Sequence, residues 1–175
     1  MKPFLTKAYI GVGSNIDTEK NIEKSLLLLK KQVKVSKVST FYRTRPLEEK
    51  VQNDFYNGIF EIYTDCDARK LKFTILNSVE SECHRERSHD KYAPRTIDLD
   101  LLLFGDLVMR EKDLYIPDPE IYNRSFIAIP LYELDRKLVM PDTHQSIYEI
   151  KKTFAPNGLR PVKTFTELLK RRISG

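Results

Sequence analysis

Residues 94–105 read PRTIDLDLLLFG, an apolar run in which Asp98 and Asp100 stand two positions apart. In an extended strand successive side chains alternate faces. Both carboxylates are therefore expected on one side, with Ile97, Leu99, Leu101 and Leu103 on the other. Asp is depleted in strands and like charges on one face repel, so the pattern calls for an offsetting cation. Hard oxygen ligands suit Mg²⁺, which commonly takes one or two carboxylates together with the phosphates of its substrate. Arg85, Arg87 and Arg95, just upstream, are suited to meeting such phosphates. Taken alone, Asp-x-Asp more often marks the acidic outer face of a half-solvated strand. The rest of the chain shifts that balance.

The elements around this strand follow from pattern. Residues 8–12 form a short apolar strand that leaves through Gly13-Ser14-Asn15. A helix follows, with Asp17 or Thr18 as its cap and Ile22, Leu26, Leu29 and Val33 on the core face. Residues 33–43 alternate and are β-branched, predicting a second strand, and FYNGIFEIY at 55–63 predicts a third. The connection 44–54 is long for a hairpin and carries Pro46, as a functional loop would. Asp65 or Asp67 caps a second helix with Leu71, Ile75, Leu76 and Val79 inward, ending near Cys83. The charged loop HRERSHDKYAP then leads into the acidic strand, which exits at Gly105-Asp106.

The order strand, helix, strand, strand, helix, strand predicts an α+β fold, a ferredoxin-like βαββαβ antiparallel sheet with helices packed on it. With right-handed crossovers, the end of the first strand, the 44–54 loop and the start of the fourth strand converge on Asp98 and Asp100. Three loops over a rigid sheet make a binding cleft. The 175 residues, 41% hydrophobic and 31% charged, describe one domain, with a core over about 7–142 and a C-terminal extension over about 143–175. In the remainder from 107 to 175, 115–119 reads as extended, and 125–134, 146–154 and 166–172 read as helices. A net charge of +5 admits an anionic partner without choosing between nucleotide, nucleic acid and membrane surface. Cys66 and Cys83 are too few for a disulfide framework and lack the company a zinc site needs, so both are expected reduced. No signal-like or membrane-length segment stands out, and a cytoplasmic location is expected.

In order and with few gaps, the stretches YIGVGSN, STFYRTRPL, DFYNGIF, Glu80 through Arg85-Glu86-Arg87, PRTIDLDLLLFG and IPDPEIYNRSFIAIPL resemble the 6-hydroxymethyl-7,8-dihydropterin pyrophosphokinase family. The resemblance covers residue 8 to about 142. It implies transfer of the pyrophosphoryl group of ATP to a pterin alcohol, in folate biosynthesis, by a monomer that binds neither nucleic acid nor membrane. It also implies that Asp98 and Asp100 hold two Mg²⁺ ions and that Arg85 and Arg87 ride a mobile loop closing over the reacting phosphates. Phe55 and Phe126 are implied to sandwich the pterin ring, Asn57 to read its edge, and Thr44 and Leu47 to add backbone contacts. Glu80, Arg95, Leu101, Asp118 and Arg124 are implied to serve ATP.

Five positions depart from the family pattern. Asp118 stands where His is usual, Tyr92 where Trp, Ala93 and His84 where Gly, and Arg45 where Pro. An ionised Asp118 adds negative charge beside a triphosphate unless a cation such as Lys112 compensates, or else it only shapes the turn between Pro117 and Pro119. Two other readings compete. A nucleotide-sugar transferase would use Asp-x-Asp with Mg²⁺ but gives Phe55, Asn57 and Phe126 no task. A basic ferredoxin-like module could bind RNA on its sheet, although the aromatic glycine signature of such modules is absent.

Overall fold

The computed structural model describes residues 4–46, 52–90, 93–155 and 158–175. Its central strand is β1 (Thr6–Ser14), in which Ala8, Ile10 and Val12 feed one buried face. After α1 (Thr18–Lys30) come β2 (Lys34–Val38), β3 (Tyr42–Thr44) and β4 (Phe55–Thr64). Three helical segments then run on from one another as α2, namely Ala68–Lys70, a π-helical stretch Leu71–Leu76, and Asn77–Glu82. The acidic strand is β5 (Asp98–Phe104). β1 pairs antiparallel with β4 on one side and β5 on the other, while β2 and β3 both pair antiparallel with β4. The βαββαβ run thus folds into an antiparallel sheet ordered fourth, first, third, second strand, as the α+β reading requires.

Beyond β5 lie a hairpin of β6 (Met109–Glu111) and β7 (Leu114–Ile116), a 3₁₀ turn at Pro119–Tyr122, α3 (Ser125–Leu134), α4 (Ile147–Lys152), β8 (Arg160–Pro161) and α5 (Lys163–Ser174). Strands this short carry no periodic signal, and the sequence marks only 115–119 as extended. Ser146 caps α4 through a capping box with Glu149. Asp67 caps α2 by accepting from Lys70 N. Asp17 stands at the N-cap of α1 but in a left-handed conformation, φ 42°, with no side-chain cap bond.

Two expectations need correction. The strand over 33–43 is broken. At the break Ser39 N donates to Ile59 O, and Ile59 N donates back to Ser39 Oγ, so a side chain replaces part of the ladder. The departure lets Phe41 turn fully inward against Gly58, where a Cβ would lie 2.6 Å from the Phe41 ring. In β5 the alternation fails at Leu102, because the register on β1 shifts between Tyr9 and Ile10, opposite Leu103 and Leu101. This bulge puts Leu103 on the opposite face from Leu101.

Helices cover both faces of the sheet. On one, α1, α2 and α5 pack Leu26, Leu76 and Phe165 against Ile10, Phe60 and Leu99. On the other, α3 and α4 pack Leu131 and Ile150 against Tyr9, Ile59 and Leu103.

Candidate active site

The register brings distant residues to one end of the sheet. Gly13 lies opposite Asp98 on one neighbour and Asn57 on the other, and Thr44 lies opposite Phe55. Asn15, just past β1 and 2% exposed, ties the loops there. Its backbone N donates to Arg95 O at 3.1 Å and its Oδ1 accepts from Arg95 N at 2.8 Å. Its Nδ2 donates to Gln52 Oε1 at 3.0 Å and Asn53 O at 3.2 Å. One amide therefore holds Gln52, Asn53 and the segment before β5 against the end of β1.

Between these loops and the α3 side opens a cavity of about 290 Å³. Gly11 and Gly13 form part of its wall on β1. A Cβ on Gly13 would come within 2.9 Å of Asn57 Oδ1, and one on Gly11 within 3.3 Å of Leu102. Asn57 Nδ2 donates to Thr44 Oγ1 at 2.7 Å, which fixes the orientation of its amide. Phe55 presents a ring that the Arg95 guanidinium partly covers, 5.8 Å from its centroid. Phe126 enters from α3 and Asp118 from the turn after β7.

Asp98 and Asp100 each have a tethered cation. Asp98 Oδ1 is 2.7 Å from Arg85 Nη1, and Oδ2 is held by Arg95 Nη1. Asp100 Oδ1 is 3.3 Å from Lys72 Nζ. β5 is the outer strand of the sheet, and side chains from α2 and the loop after it meet its outer edge. Arg85 Nη1 donates to Ile97 O at 2.7 Å, Lys72 Nζ donates to Leu99 O at 2.8 Å, and Glu80 Oε1 accepts from Leu99 N at 2.8 Å. Arg87 lies outside this layer, bonded to Asn77 Oδ1 at 2.9 Å and paired with Glu80 at 3.6 Å.

Burial raises the pKa of Asp100, and the Asp98 carboxylate adds to that; Lys72 and Arg85 oppose it. Glu80 is also raised, chiefly by burial, against the stabilising bond from Leu99 N. Asp118 is pushed up to about 6 by burial, with Asp100 and Glu120 adding to the rise. It also accepts from Glu120 N at 2.8 Å, capping the 3₁₀ turn. Asp118 therefore shapes its turn and at the same time stands in the field of Asp100. The field of Lys72 opposes that rise.

Thr44, Phe55, Asn57, Arg95, Asp98, Asp100, Asp118, Arg124 and Phe126, all singled out from sequence, line one cavity. Glu80, Arg85 and Arg87 stand behind it on the α2 side of Asp98 and Asp100. Leu101 is not part of its wall, because its side chain is 2% exposed and packs in the core under α1 and α2. The bulge brings Leu102 to the cavity instead. Leu47 lies outside the described residues. Sequence reasoning missed Lys72, Asn15 as the loop tie, Leu102, and Glu120, which pairs with Arg124. The GSN motif pointed to Asn15's place without its partners.

Among the described residues no group of three or more His, Cys, Asp and Glu is placed to hold a metal. The chain itself offers two adjacent carboxylates. That donor set fits Mg²⁺, which completes its shell with water and substrate phosphate.

The sequence model of the 7,8-dihydro-6-hydroxymethylpterin-pyrophosphokinase (HPPK) family matches residues 9–136. A 2-amino-4-hydroxy-6-hydroxymethyldihydropteridine pyrophosphokinase of Haemophilus influenzae is 35% identical over 157 residues, spanning 87% of this chain and 95% of its own. The folic acid synthesis protein fol1 of Pneumocystis carinii is 33% identical over 162 residues, 90% of this chain but 21% of that longer protein. The crystal structure of wild-type HPPK-DHPS from Plasmodium falciparum superposes with a TM-score of 0.67 at 13% identity, covering 86% of this chain and 45% of that one, a likeness of fold. Since the match runs from β1 through α3 and takes in the described cavity, this chain belongs to the 7,8-dihydro-6-hydroxymethylpterin-pyrophosphokinase family.

Proposed function

We propose that this chain, as one domain over residues 1–175, transfers the pyrophosphoryl group of ATP to the hydroxymethyl group of 6-hydroxymethyl-7,8-dihydropterin. The products are AMP and the pterin diphosphate, a step of folate biosynthesis. The observation that carries the reading is the joining, in one cavity, of a cation-clamped acidic pair and a pocket walled by Phe55, Asn57 and Phe126. Family membership supports it. In the transfer the pterin hydroxyl oxygen forms a bond to the β-phosphorus of ATP and gives up its proton to solvent, while the bond from that phosphorus to the α–β bridging oxygen breaks and AMP leaves with that oxygen.

Such transfers depend mainly on positioning and charge neutralisation, and this chain's residues divide those tasks. Phe55 and Phe126 stack on the pterin ring, and Asn57, oriented by Thr44, reads its edge. Leu47 adds a backbone contact to that edge. Arg95 and Arg124 meet the nucleotide's phosphates or ribose, with Asp118 beside them, Glu80 acts through Arg85 and Leu99, and Leu101 offers its backbone. Arg85 and Arg87 close over the phosphates and keep water from them. Asp98 and Asp100 are the residues that would hold two Mg²⁺ ions, which would supply positive charge to neutralise the phosphates. We also assign the chain to the cytoplasm as a monomer; its cysteines, Cys66 and Cys83, are both free thiols.

The test is incubation with ATP, Mg²⁺ and 6-hydroxymethyl-7,8-dihydropterin, followed by separation of the nucleotides. AMP formed in step with pterin diphosphate is expected, and its loss in Asp98→Ala or Asp100→Ala with the fold retained. Formation of ADP, or no turnover, overturns the reading.

A further inference from the structure

We infer that Lys72 is a resident counter-ion of the acidic pair, a fixed positive charge at Asp100 that sets how tightly divalent cations bind there. The inference rests on the reading that Asp98 and Asp100 hold those cations. Lys72 Nζ lies 3.3 Å from Asp100 Oδ1 and 2.8 Å from the carbonyl of Leu99, the residue between the two acids. Its side chain is 21% exposed and that of Asp100 49%, so Asp100 faces the cavity while Lys72 backs it from the protein side.

The other cations of the site are anchored differently. Arg85 and Arg95 reach Asp98 from the non-helical segment between α2 and β5, and both pair with Asp98 rather than Asp100. Lys72 projects from the π-helical stretch of α2, and the Leu99 carbonyl holds its ammonium beside Asp100. A carboxylate accompanied by an ammonium attracts a second cation less than a bare one, and the effect acts through partly screened surroundings. The same charge favours an arriving triphosphate. Lys72 thus turns the pair from a site that collects free metal into one that favours metal arriving with a nucleotide. Its field also reaches Asp118, where it offsets the acid that this chain places in the cavity wall.

A merely structural Lys72 would serve only to cap the Leu99 carbonyl. Lys72→Gln keeps an amide donor for that carbonyl and removes the charge, and Lys72→Met removes both. Binding of Mn²⁺ alone, followed by electron paramagnetic resonance on the full chain, and binding of metal-free ATP in chelator, followed by calorimetry, give opposite signs. Both variants are expected to bind Mn²⁺ about fivefold tighter and metal-free ATP about fivefold more weakly, with Lys72→Arg like the parent. Unchanged or weaker Mn²⁺ binding in Lys72→Gln overturns the inference. Asp98→Asn and Asp100→Asn serve as the reference: if they bind Mn²⁺ as the parent does, the assignment of the metal to these carboxylates fails, an outcome separate from any result at Lys72.

Discussion

Replacing Asn15 by Ala removes a side chain that makes three hydrogen bonds from a position 2% exposed. Each buried hydrogen bond contributes about 1 kcal/mol net, and a buried donor left unpaired costs about 1 to 3 kcal/mol. Arg95 N would be that donor. Gln52 and the backbone of Asn53 lie nearer the surface, where water can replace the amide, so those bonds count for less. The expected loss of global stability is about 2 kcal/mol. A larger effect should fall on the site, because Arg95 reaches both Asp98 and the face of Phe55. Freed from Asn15, the segment around Arg95 must be ordered by the substrates at their own expense, which raises both Kd values while the chemistry of the assembled complex is kept. Asn15→Asp is a useful second variant. Its carboxylate still accepts from Arg95 N, and Gln52 can turn its amide to donate, but the Asn53 carbonyl then faces another acceptor. Urea unfolding of the two variants, with calorimetric titration of ATP and pterin, measures these effects. Stability within about 0.5 kcal/mol of the parent, together with unchanged affinity for both substrates, would refute the idea that this amide holds the loops.

Three further outcomes follow from the same geometry. Phe55→Ala and Phe126→Ala should each weaken pterin binding by about 1 to 3 kcal/mol and leave ATP binding nearly unchanged, as separate titrations would show. Asp118 is raised from 3.8 to about 6 in the folded chain, so its ionisation destabilises the fold fully above about pH 6, and the penalty disappears as pH falls towards 4. Asp118→Asn, which can still accept from Glu120 N, should therefore be more stable than the parent at pH 8 by up to about 3 kcal/mol, less what cavity water screens. That gap should close between about pH 6 and pH 4, and a gap that widens on acidification contradicts the assignment. Gly58→Ala should cost about 1 to 3 kcal/mol in urea unfolding, since the added methyl meets the Phe41 ring at 2.6 Å.

What the sequence revealed depended on how locally each feature is determined. Asp98 and Asp100 share a face because strands alternate over two residues, and three loops share an end because βαββαβ connections leave few arrangements. Apolar spacing on α1 and α2 found residues that are all buried. The residues missed depend on tertiary detail. Leu102 reaches the cavity only because a bulge halts the alternation, and no two-residue pattern announces a bulge. Lys72 lies 28 residues before Asp100, on a π-helical stretch whose wider turns shift the azimuth that a 3.6-residue period assigns. The break in the second strand follows from the fit of Phe41 beneath Gly58, a contact between segments 17 residues apart. Asn15 was visible as a residue of the turn, but its task is set by partners at 52, 53 and 95.

The guarded outer edge of β5 has consequences for self-association. A peripheral strand with unpaired N–H and C=O groups invites another chain to add to the sheet. Here the peptide groups of Ile97 and Leu99 are occupied by Arg85, Lys72 and Glu80, the same side chains that surround the acidic pair. Substitutions that clear charge from this region therefore alter two properties together, turnover and the exposure of a strand ready to be extended by a neighbour. Light scattering on Arg85, Glu80 and Lys72 variants, alongside their kinetics, would separate an inactive monomer from one whose exposed β5 has recruited a second copy.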